Sequence, residues 1–193
     1  MSTLVKCGWA YHSKLMEDYH DNEWGKPLKS DLELFSKLML DCQQAGLSWA
    51  IILNKRKSFL EAYDGFNPYK VSKYDEKDIE RLLNNPGIVR NRLKVLAMIH
   101  NSNMYLKHFS KEGSFTEFIW GYTNGKSVDQ GLTDLKDMPT HSIVSDQMSQ
   151  DLKRLGFKFV GTTVVYAFLQ AVGVYNDHLE TCPIKQKYKE ESI

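Results

Sequence analysis

Two cysteines and two histidines near opposite ends of the chain have the residue types of a metal site. His178 and Cys182 are spaced i, i+4, which places both side chains on one helical face or across one turn. Cys7 and His20 lie near the other end. Two thiolates and two imidazoles form the closed tetrahedral set typical of structural zinc, with no position open for a catalytic water. A shared ion would close a long loop and tie the N-terminal arm to the C-terminus.

The two cysteines also allow a simpler interpretation, in which they are buried as small hydrophobic side chains. The chain has three cysteines, with Cys42 as the third. An odd number without a secretory leader argues against a disulfide framework and favours a reducing compartment. On spacing alone, metal binding and simple burial of Cys7 and Cys182 both remain open.

Aromatic side chains and one carboxylate in the first quarter of the chain have the composition of a nucleobase pocket. The aromatic residues are Trp9, Tyr11, Tyr19, Trp24 and Trp49. Asp41 stands near the end of an apolar segment, where its charge would favour a positively charged base stacked on the rings. The alternative is that the rings belong to the hydrophobic core and that Asp41 is an exposed residue at a helix end.

A turn between two helical segments has the features of a contact with the DNA backbone. The run Asn84–Gly87 contains Pro and Gly and interrupts a helical pattern that resumes directly after it. Gly87 would let backbone amides approach phosphates closely. Arg90, Arg92 and Lys94 would add positive charge, which holds DNA in register without reading its sequence. The alternative is an ordinary turn between helices with a solvated basic face.

Helices must position these residues, because apolar side chains recur at helical spacing along the chain. Ser30 and Glu33 form a capping-box pattern, and Asp75 begins another helical segment. Ser145 is placed to cap a later helix and Gly173 to end the following one. Strict two-residue alternation is nearly absent, so we predict an all-α fold with about seven or eight helices.

The order of the motifs predicts one unit, residues 1–183, made of two helical lobes. The two ends, about residues 1–30 and 140–183, would form the lobe that carries the metal site. The middle, about residues 31–139, would form the lobe with the turn. Residues 184–193 are mostly polar and charged, and we expect a flexible tail there.

Composition and charge describe an ordinary globular chain. Apolar residues make up 42 % of the sequence and charged residues 25 %, so a packed core is expected. The net charge of +1 gives little general support for a nucleic-acid partner. No apolar run approaches the roughly 20 residues needed to span a bilayer. We therefore expect a cytoplasmic protein without membrane contact.

These motifs together resemble the 3-methyladenine DNA glycosylase I family, which belongs to the helix-hairpin-helix DNA glycosylases. The resemblance covers roughly residues 7–183. Its most specific stretches are Cys7–Trp9, Tyr19–Gly25, Gln43–Trp49, Gly156–Thr163 and Asn176–His178 with Cys182. It implies a helix-hairpin-helix glycosylase fold in which a zinc site joins the N- and C-terminal segments.

The resemblance also implies a role for each group of residues described above. The zinc ligands of the family correspond to Cys7, His20, His178 and Cys182, its hairpin to Asn85–Arg92, and its base pocket to Trp9, Tyr19, Asp41 and Trp49. One structural zinc ion is implied. Asp41 would hydrogen-bond the base, while Tyr19 and Trp49 would stack on it.

This chain departs from the family at two positions of the base pocket. It has Asp41 where the family usually has Glu, and Met16 where the family usually has Tyr. Asp is one methylene shorter, so a direct hydrogen bond to the base could become water-mediated. Met can pack on a ring through its thioether but offers no stacking face. We therefore expect an altered affinity for the damaged base or an altered range of bases.

The function implied is monofunctional hydrolysis of the N-glycosidic bond of 3-methyladenine in alkylated double-stranded DNA. We expect a monomer without an obligate protein partner. Three other readings of the residues remain: a non-catalytic, zinc-stapled DNA-binding module, a zinc hydrolase acting on a small molecule, and a helical interaction protein without nucleic acid.

Overall fold

Helices make up nearly all the regular structure, as the sequence predicts. The computed structural model describes residues 5–190. Its α-helices are α1 Lys14–Asn22, α2 Asp31–Gln44, α3 Trp49–Ala62, α4 Pro68–Val71, α5 Glu76–Leu83, α6 Arg92–His108, α7 Ser114–Gly121, α8 Ile143–Arg154, α9 Thr162–Ala171 and α10 Pro183–Glu190. Short 3₁₀ helices span Gly8–His12, Asp64–Phe66 and Leu135–Asp137. Residues 5–190 contain no strand, only an isolated bridge between Val128 and Tyr175, so the all-α prediction is confirmed.

The helices begin at residues whose side chains satisfy the first free amides. Asp75 and Asp78 form a reciprocal capping box at the start of α5, as predicted for Asp75. Ser142, rather than Ser145, caps α8, and Ser145 is its reciprocal partner. Ser30 precedes α2, but its side chain makes no capping hydrogen bond.

The hydrophobic core runs through the middle of the molecule and is shared by distant parts of the chain. Leu34, Phe35 and Leu38 of α2 are fully buried in it, and so are Met148 of α8 and Val165 of α9. Helix α9 packs directly on α2. The predicted lobe boundaries near residues 30 and 140 therefore do not separate two cores. A smaller apolar cluster gathers around Cys7, Tyr19, Trp24, Leu179 and Cys182.

The chain segment after α1 crosses the end of α9 at close range. Gly173 adopts a left-handed conformation with φ of 77°, and a Cβ atom there would lie 2.5 Å from the backbone nitrogen of Pro27. The amide of Leu28 donates to the carbonyl of Val172 at 3.0 Å. Only glycine permits this crossing, which holds the N-terminal segment against the C-terminal part of the chain.

The C-terminal segment differs from the predicted flexible tail. Residues Pro183–Glu190 form α10, in which Tyr188 is buried and donates from its hydroxyl to the carbonyl of Asp21 at 3.1 Å. Lys185 is also buried, and its ammonium forms ion pairs with Asp129 at 2.6 Å and Glu180 at 2.7 Å. These contacts fix the helix to the body of the protein. The last part of the predicted tail, 191–193, lies outside the described residues, as do 1–4. Among the described residues, no helix is long and apolar enough to cross a membrane.

Candidate functional site

The four predicted metal ligands meet in one buried cluster. Cys7, His20, His178 and Cys182 each offer one ligand atom, and these atoms all lie within 4.8 Å of one another. The Nδ1 atom of His178 lies 3.2 Å from His20 Nε2 and 3.6 Å from the sulfur of Cys182. The sulfur of Cys7 lies 3.8 Å from the same Nδ1 atom. The arrangement can hold a metal ion, and it joins α1 to the segment before α10.

The other polar atoms around the cluster orient these ligands. His20 Nδ1 lies 2.8 Å from Asp21 Oδ1, and His178 Nε2 lies 2.8 Å from the carbonyl oxygen of Trp24. Each ring therefore uses its outer nitrogen for a fixed partner and turns its other nitrogen to the centre of the cluster. Such partners fix the tautomer and the orientation of metal-binding histidines.

The two thiols of the cluster differ in their readiness to ionise. A hydrogen bond from the Cys7 thiol, together with the two imidazoles, lowers the pKa of Cys182 to about 2. The same hydrogen bond, together with burial, raises the pKa of Cys7 well above its usual value. The cluster thus already stabilises a thiolate, the form of cysteine that binds metals.

A cavity of about 290 Å³ lies beside the cluster and contains the predicted base-binding residues. This volume is near the lower end of the roughly 300–1,000 Å³ typical of small-molecule sites. Its lining includes Trp9, Met16, Tyr19, Trp24, Lys37, Asp41, Gln44, Trp49 and Gln170. The Tyr19 and Trp49 rings lie 5.2 Å apart between centroids and are tilted by 43°. The structure thus brings together all five residues expected at the base pocket.

Helices α1 and α2 position the side chains of this cavity. On α1, Met16 and Tyr19 are one turn apart and face the cavity, whereas the next residue, His20, belongs to the metal cluster. On α2, Lys37 and Asp41 follow each other at i, i+4 and lie on the same helical face. The pocket and the cluster are therefore built on the same short helix.

Asp41 is a buried carboxylate with one oxygen engaged and the other free. Its Oδ1 atom forms an ion pair with the ammonium of Lys37. Its Oδ2 atom has no hydrogen-bond partner among the described residues, and neither does the Nε1 atom of Trp49. Burial raises the pKa of Asp41, and the charge of Lys37 opposes this effect. A free acceptor and a free donor inside an aromatic cavity are suited to a bound polar ring.

Three pocket residues were not predicted from the sequence: Lys37, Gln44 and Gln170. Gln44 belongs to the Gln43–Trp49 block quoted above, but no role was assigned to it. Lys37 is spaced i, i+4 from Asp41, but this spacing is common on solvent-exposed helix faces and does not indicate a pocket residue. Gln170 lies in α9, far along the chain, and only the packing of α9 on α2 brings it to the cavity.

The predicted DNA-binding turn joins α5 to α6, and its arginines are exposed. Arg90 and Arg92 are both exposed, and Arg92 lies 3.6 Å from Glu76 in a loose ion pair. Gly87 is packed against α3, because a Cβ atom there would lie 2.9 Å from Cβ of Ser58. Gly87 is thus required for close packing of the turn on α3.

Lys94 differs from the other residues of this group, because the structure buries it. Its ammonium donates to the carbonyl of Gln43 at 2.7 Å and to that of Ala45 at 2.8 Å. These carbonyls lie at the C-terminal end of α2, where a cation is favoured. Lys94 therefore stabilises the end of α2 in this structure, and its charge is directed away from solvent.

Comparison with known proteins agrees with this architecture. The sequence model of the methyladenine glycosylase family matches residues 9–186. The DNA-3-methyladenine glycosylase of Haemophilus influenzae is 41 % identical over 181 residues, covering 94 % of this chain and 98 % of the relative. DNA-3-methyladenine glycosylase 1 of Escherichia coli is 42 % identical over 179 residues, covering 93 % and 96 %.

A similar fold is present in a solved structure of this group. A variant of 3-methyladenine DNA glycosylase I in complex with 3-methyladenine has a TM-score of 0.88 to this structure at 40 % identity, covering 93 % of this chain and 96 % of the other. The helical fold is thus that of the 3-methyladenine DNA glycosylases. The chain belongs to the methyladenine glycosylase family, which confirms the resemblance seen in the sequence.

Proposed function

We propose that this chain is a DNA-3-methyladenine glycosylase that hydrolyses the N-glycosidic bond of 3-methyladenine in alkylated double-stranded DNA. The observation that carries the proposal is the buried carboxylate of Asp41, with a free oxygen, in an aromatic cavity next to Tyr19 and Trp49. The relatives named for this activity support it over nearly the full length of the chain.

The reaction requires little from the protein beyond binding the damaged base. Alkylation at N3 gives the base a positive charge, so that it leaves as a neutral purine and the bond to the sugar is weakened beforehand. The protein must extrude the nucleotide from the duplex and stabilise the base in the pocket. Asp41 accepts a hydrogen bond from the base, while Tyr19 and Trp49 provide stacking faces. Water then attacks the sugar through an oxocarbenium-like transition state.

We expect the enzyme to be monofunctional. A lyase would need a lysine amine that is free to attack the sugar, but Lys37, the lysine that lines the cavity, is paired with Asp41 in the free protein and would have Glu33 of the adjoining cavity as a partner if a base displaced it. Treatment with borohydride during the reaction should therefore trap no protein–DNA adduct. A trapped adduct that is absent from a Lys37→Met variant would show that Lys37 acts as a nucleophile.

The turn between α5 and α6 is our proposed DNA contact. Its exposed arginines, Arg90 and Arg92, can bind phosphates, and the backbone of the turn is held close to α3 by Gly87. We interpret α5, the turn and α6 as the hairpin that positions double-stranded DNA. A monomer suffices for this role.

The cysteine–histidine cluster is our proposed site for one structural zinc ion. At the usual Zn–N and Zn–S bond lengths, tetrahedral ligand atoms lie about 3.3 to 3.8 Å apart. Three separations in the cluster, 3.2, 3.6 and 3.8 Å, lie in or within 0.1 Å of that range, and all four ligand atoms lie within 4.8 Å of one another. Bound zinc would supply a cross-link between the two ends of the chain, and a full set of protein ligands leaves the chemistry to the neighbouring cavity.

The direct test of the enzymatic function is to incubate the purified protein with methylated DNA and identify the bases released. Release of 3-methyladenine supports the proposal. Binding of the DNA without release of any base would contradict it and would favour a non-catalytic DNA-binding module. Release of a different base would point to Asp41 and Met16 as the cause of a changed specificity.

Metal removal tests the zinc proposal. We expect one zinc ion per chain, and chelation should lower the melting temperature by about 10 °C or more because the ion is part of the folded structure. Cys182→Ser should lose the metal. Cys42→Ala is the matched control, because Cys42 is buried but lies outside the cluster. Equal metal content in both variants would contradict the assignment.

A further inference from the structure

Lys37 lies inside the base pocket, one helical turn before Asp41. Its ammonium forms an ion pair with Asp41, and its side chain is only 17 % exposed. A Lys–Asp pair on an open helix surface contributes little, because water competes for both charges. Here Tyr19 and Trp49 line the same cavity, so the charge of Lys37 acts directly on whatever the cavity binds.

The ammonium also covers an aromatic face of the pocket. Lys37 Nζ lies 4.3 Å from the centroid of the Trp49 ring, which is a cation–π contact. A positively charged base would use the same two features, the carboxylate of Asp41 and the face of Trp49. In the free protein, the ammonium of Lys37 therefore occupies the site at which the positive charge of such a base would be stabilised.

Burial makes the two charges depend on each other. Burial lowers the pKa of Lys37 and raises the pKa of Asp41, and each charge opposes the effect of burial on its partner. Removing one member of a buried pair leaves an uncompensated charge. A positively charged base can replace Lys37 as the partner of Asp41, whereas a neutral base of the same shape cannot.

A second space is available to the Lys37 side chain. A larger cavity of about 740 Å³ adjoins the pocket, and its wall includes Glu33 and the ion pair between Glu23 and Arg56. Tyr19 and Lys37 line both cavities and therefore stand between them. Rotation of Lys37 into the larger cavity would keep its ammonium near carboxylates and free the face of Trp49.

We propose that Lys37 is a specificity-determining residue whose ammonium acts as a displaceable internal cation, an inference that rests on the proposed function. It occupies the charge site of the pocket when no base is bound. A positively charged base must displace it from Asp41 and from the Trp49 ring before it can bind. Lys37 thereby reduces the preference of the pocket for charged over neutral bases.

The test compares the binding of two small probes of the same shape by calorimetry. The first is 3,9-dimethyladenine, a cation in which the 9-methyl group replaces the sugar, and the second is its neutral 3-deaza analogue. We expect Lys37→Met to raise the ratio of the cation affinity to the neutral affinity about tenfold, because Asp41 then offers a charge-assisted contact without a competitor.

Two controls separate this effect from a change in overall charge or in folding. Lys29 lies 5.1 Å from the Trp120 ring and outside the base pocket, so Lys29→Met removes the same charge and the same kind of contact elsewhere. Lys29→Met and the charge-retaining Lys37→Arg should both keep the wild-type ratio. If Lys37→Met does not fold, Lys37→Gln removes the charge while retaining a hydrogen-bond donor, and the same rise is expected.

The outcomes separate this inference from the proposed function. An unchanged ratio in a folded, charge-removed variant, with both probes bound by the wild type, would overturn the inference and leave the proposed function intact. If the wild type bound neither probe, the base pocket itself would be overturned, and the proposed function with it.

Discussion

In the proposed function, Asp41 would stabilise a charged base only while its carboxylate is ionised, so the protonation of this side chain would control the affinity of the pocket. Burial raises its pKa and Lys37 lowers it, with burial the larger effect. The neutral form of Asp41 therefore persists to higher pH than in an exposed aspartate. A buried carboxylate of this kind couples the activity to the pH of the medium.

We expect the kcat/KM for release of 3-methyladenine to fall on acidification at a pH above the ordinary aspartate value of 3.8. Below the raised pKa the neutral carboxyl dominates and cannot stabilise positive charge, and above it the activity recovers. The pH profile of kcat/KM measures this. Asp41→Asn should lower kcat/KM at every pH and abolish its decline at acidic pH. If the decline were unchanged in that variant, the titration of another group would be its cause.

Met16 and Asp41 lead to a prediction about the reaction itself. The family resemblance predicts that Tyr and Glu suit these two positions, since Tyr adds a stacking face and Glu reaches one methylene further. We expect the double change Met16→Tyr with Asp41→Glu to raise excision of 3-methyladenine by about tenfold, the effect of roughly one additional good contact. Each single variant is the control for the other. Equal rates in the wild type and the double variant would contradict the expected altered affinity.

The sequence predicts some of these side chains better than others. His178 and Cys182 could be found because cysteine and histidine at helical spacing are uncommon and have few structural uses, and the structure brings both to the cluster. Lys37 could not be found in this way. Its spacing to Asp41 is that of many surface pairs, and only the folded structure shows that the pair is enclosed.

Local sequence pattern predicts some helix starts, but not every side-chain contact made there. Asp75 begins α5 as predicted, and it does so with a reciprocal capping box. At the start of α2, Ser30 makes no capping hydrogen bond, whereas the next residue, Asp31, accepts hydrogen bonds from the amide and hydroxyl of Thr116, which tie α2 to α7. A tertiary contact of this kind cannot be predicted from local pattern, because its partner is distant in sequence.

We expect the cations in and beside the turn between α5 and α6 to differ in their effect on DNA binding. Arg90→Ala and Arg92→Ala should each weaken binding to all DNA sequences and reduce the slope of log affinity against log salt by about 0.9. Both arginines are exposed, so their loss should leave the melting temperature nearly unchanged. Titration of a fluorescent duplex at several salt concentrations measures the slope.

Lys94→Met is the comparison for these variants. Its ammonium bonds the carbonyls of Gln43 and Ala45, so we expect a loss of about 2 kcal/mol in the free energy of unfolding and no change in the salt slope. A reduced slope of log affinity against log salt in a stable Lys94→Met protein would show instead that Lys94 contacts DNA. The sequence shows only a basic run, and the inward direction of one member depends on where α2 ends.

Contacts between its two ends join the chain into one unit. The predicted division into two lobes accounts for only part of these contacts. The cluster does join the N-terminal arm to residues near 180, as expected. The core nevertheless continues across the expected boundaries, because α9 packs on α2. The polar composition after residue 183 suggested a tail, but the buried side chains of Tyr188 and Lys185 dock a short helix there.

Tyr188 therefore carries a prediction about global stability. Tyr188→Ala should reduce the free energy of unfolding by about 3–5 kcal/mol, the usual cost of removing a buried aromatic side chain. Tyr69→Ala is the matched control, since Tyr69 is 48 % exposed, and its loss should cost less than about 1 kcal/mol. Urea denaturation measures both. Similar losses in the two variants would show that α10 is not docked in solution.

The cysteine–histidine cluster also sets an order of events during synthesis. Cys7 and His20 are made early, but the cluster cannot be completed until His178 and Cys182 have left the ribosome. A nascent chain therefore carries two unpaired ligands until residue 182 has emerged. A product truncated before residue 182 would lack this closure, and we expect it to be less stable and more readily cleaved by proteases.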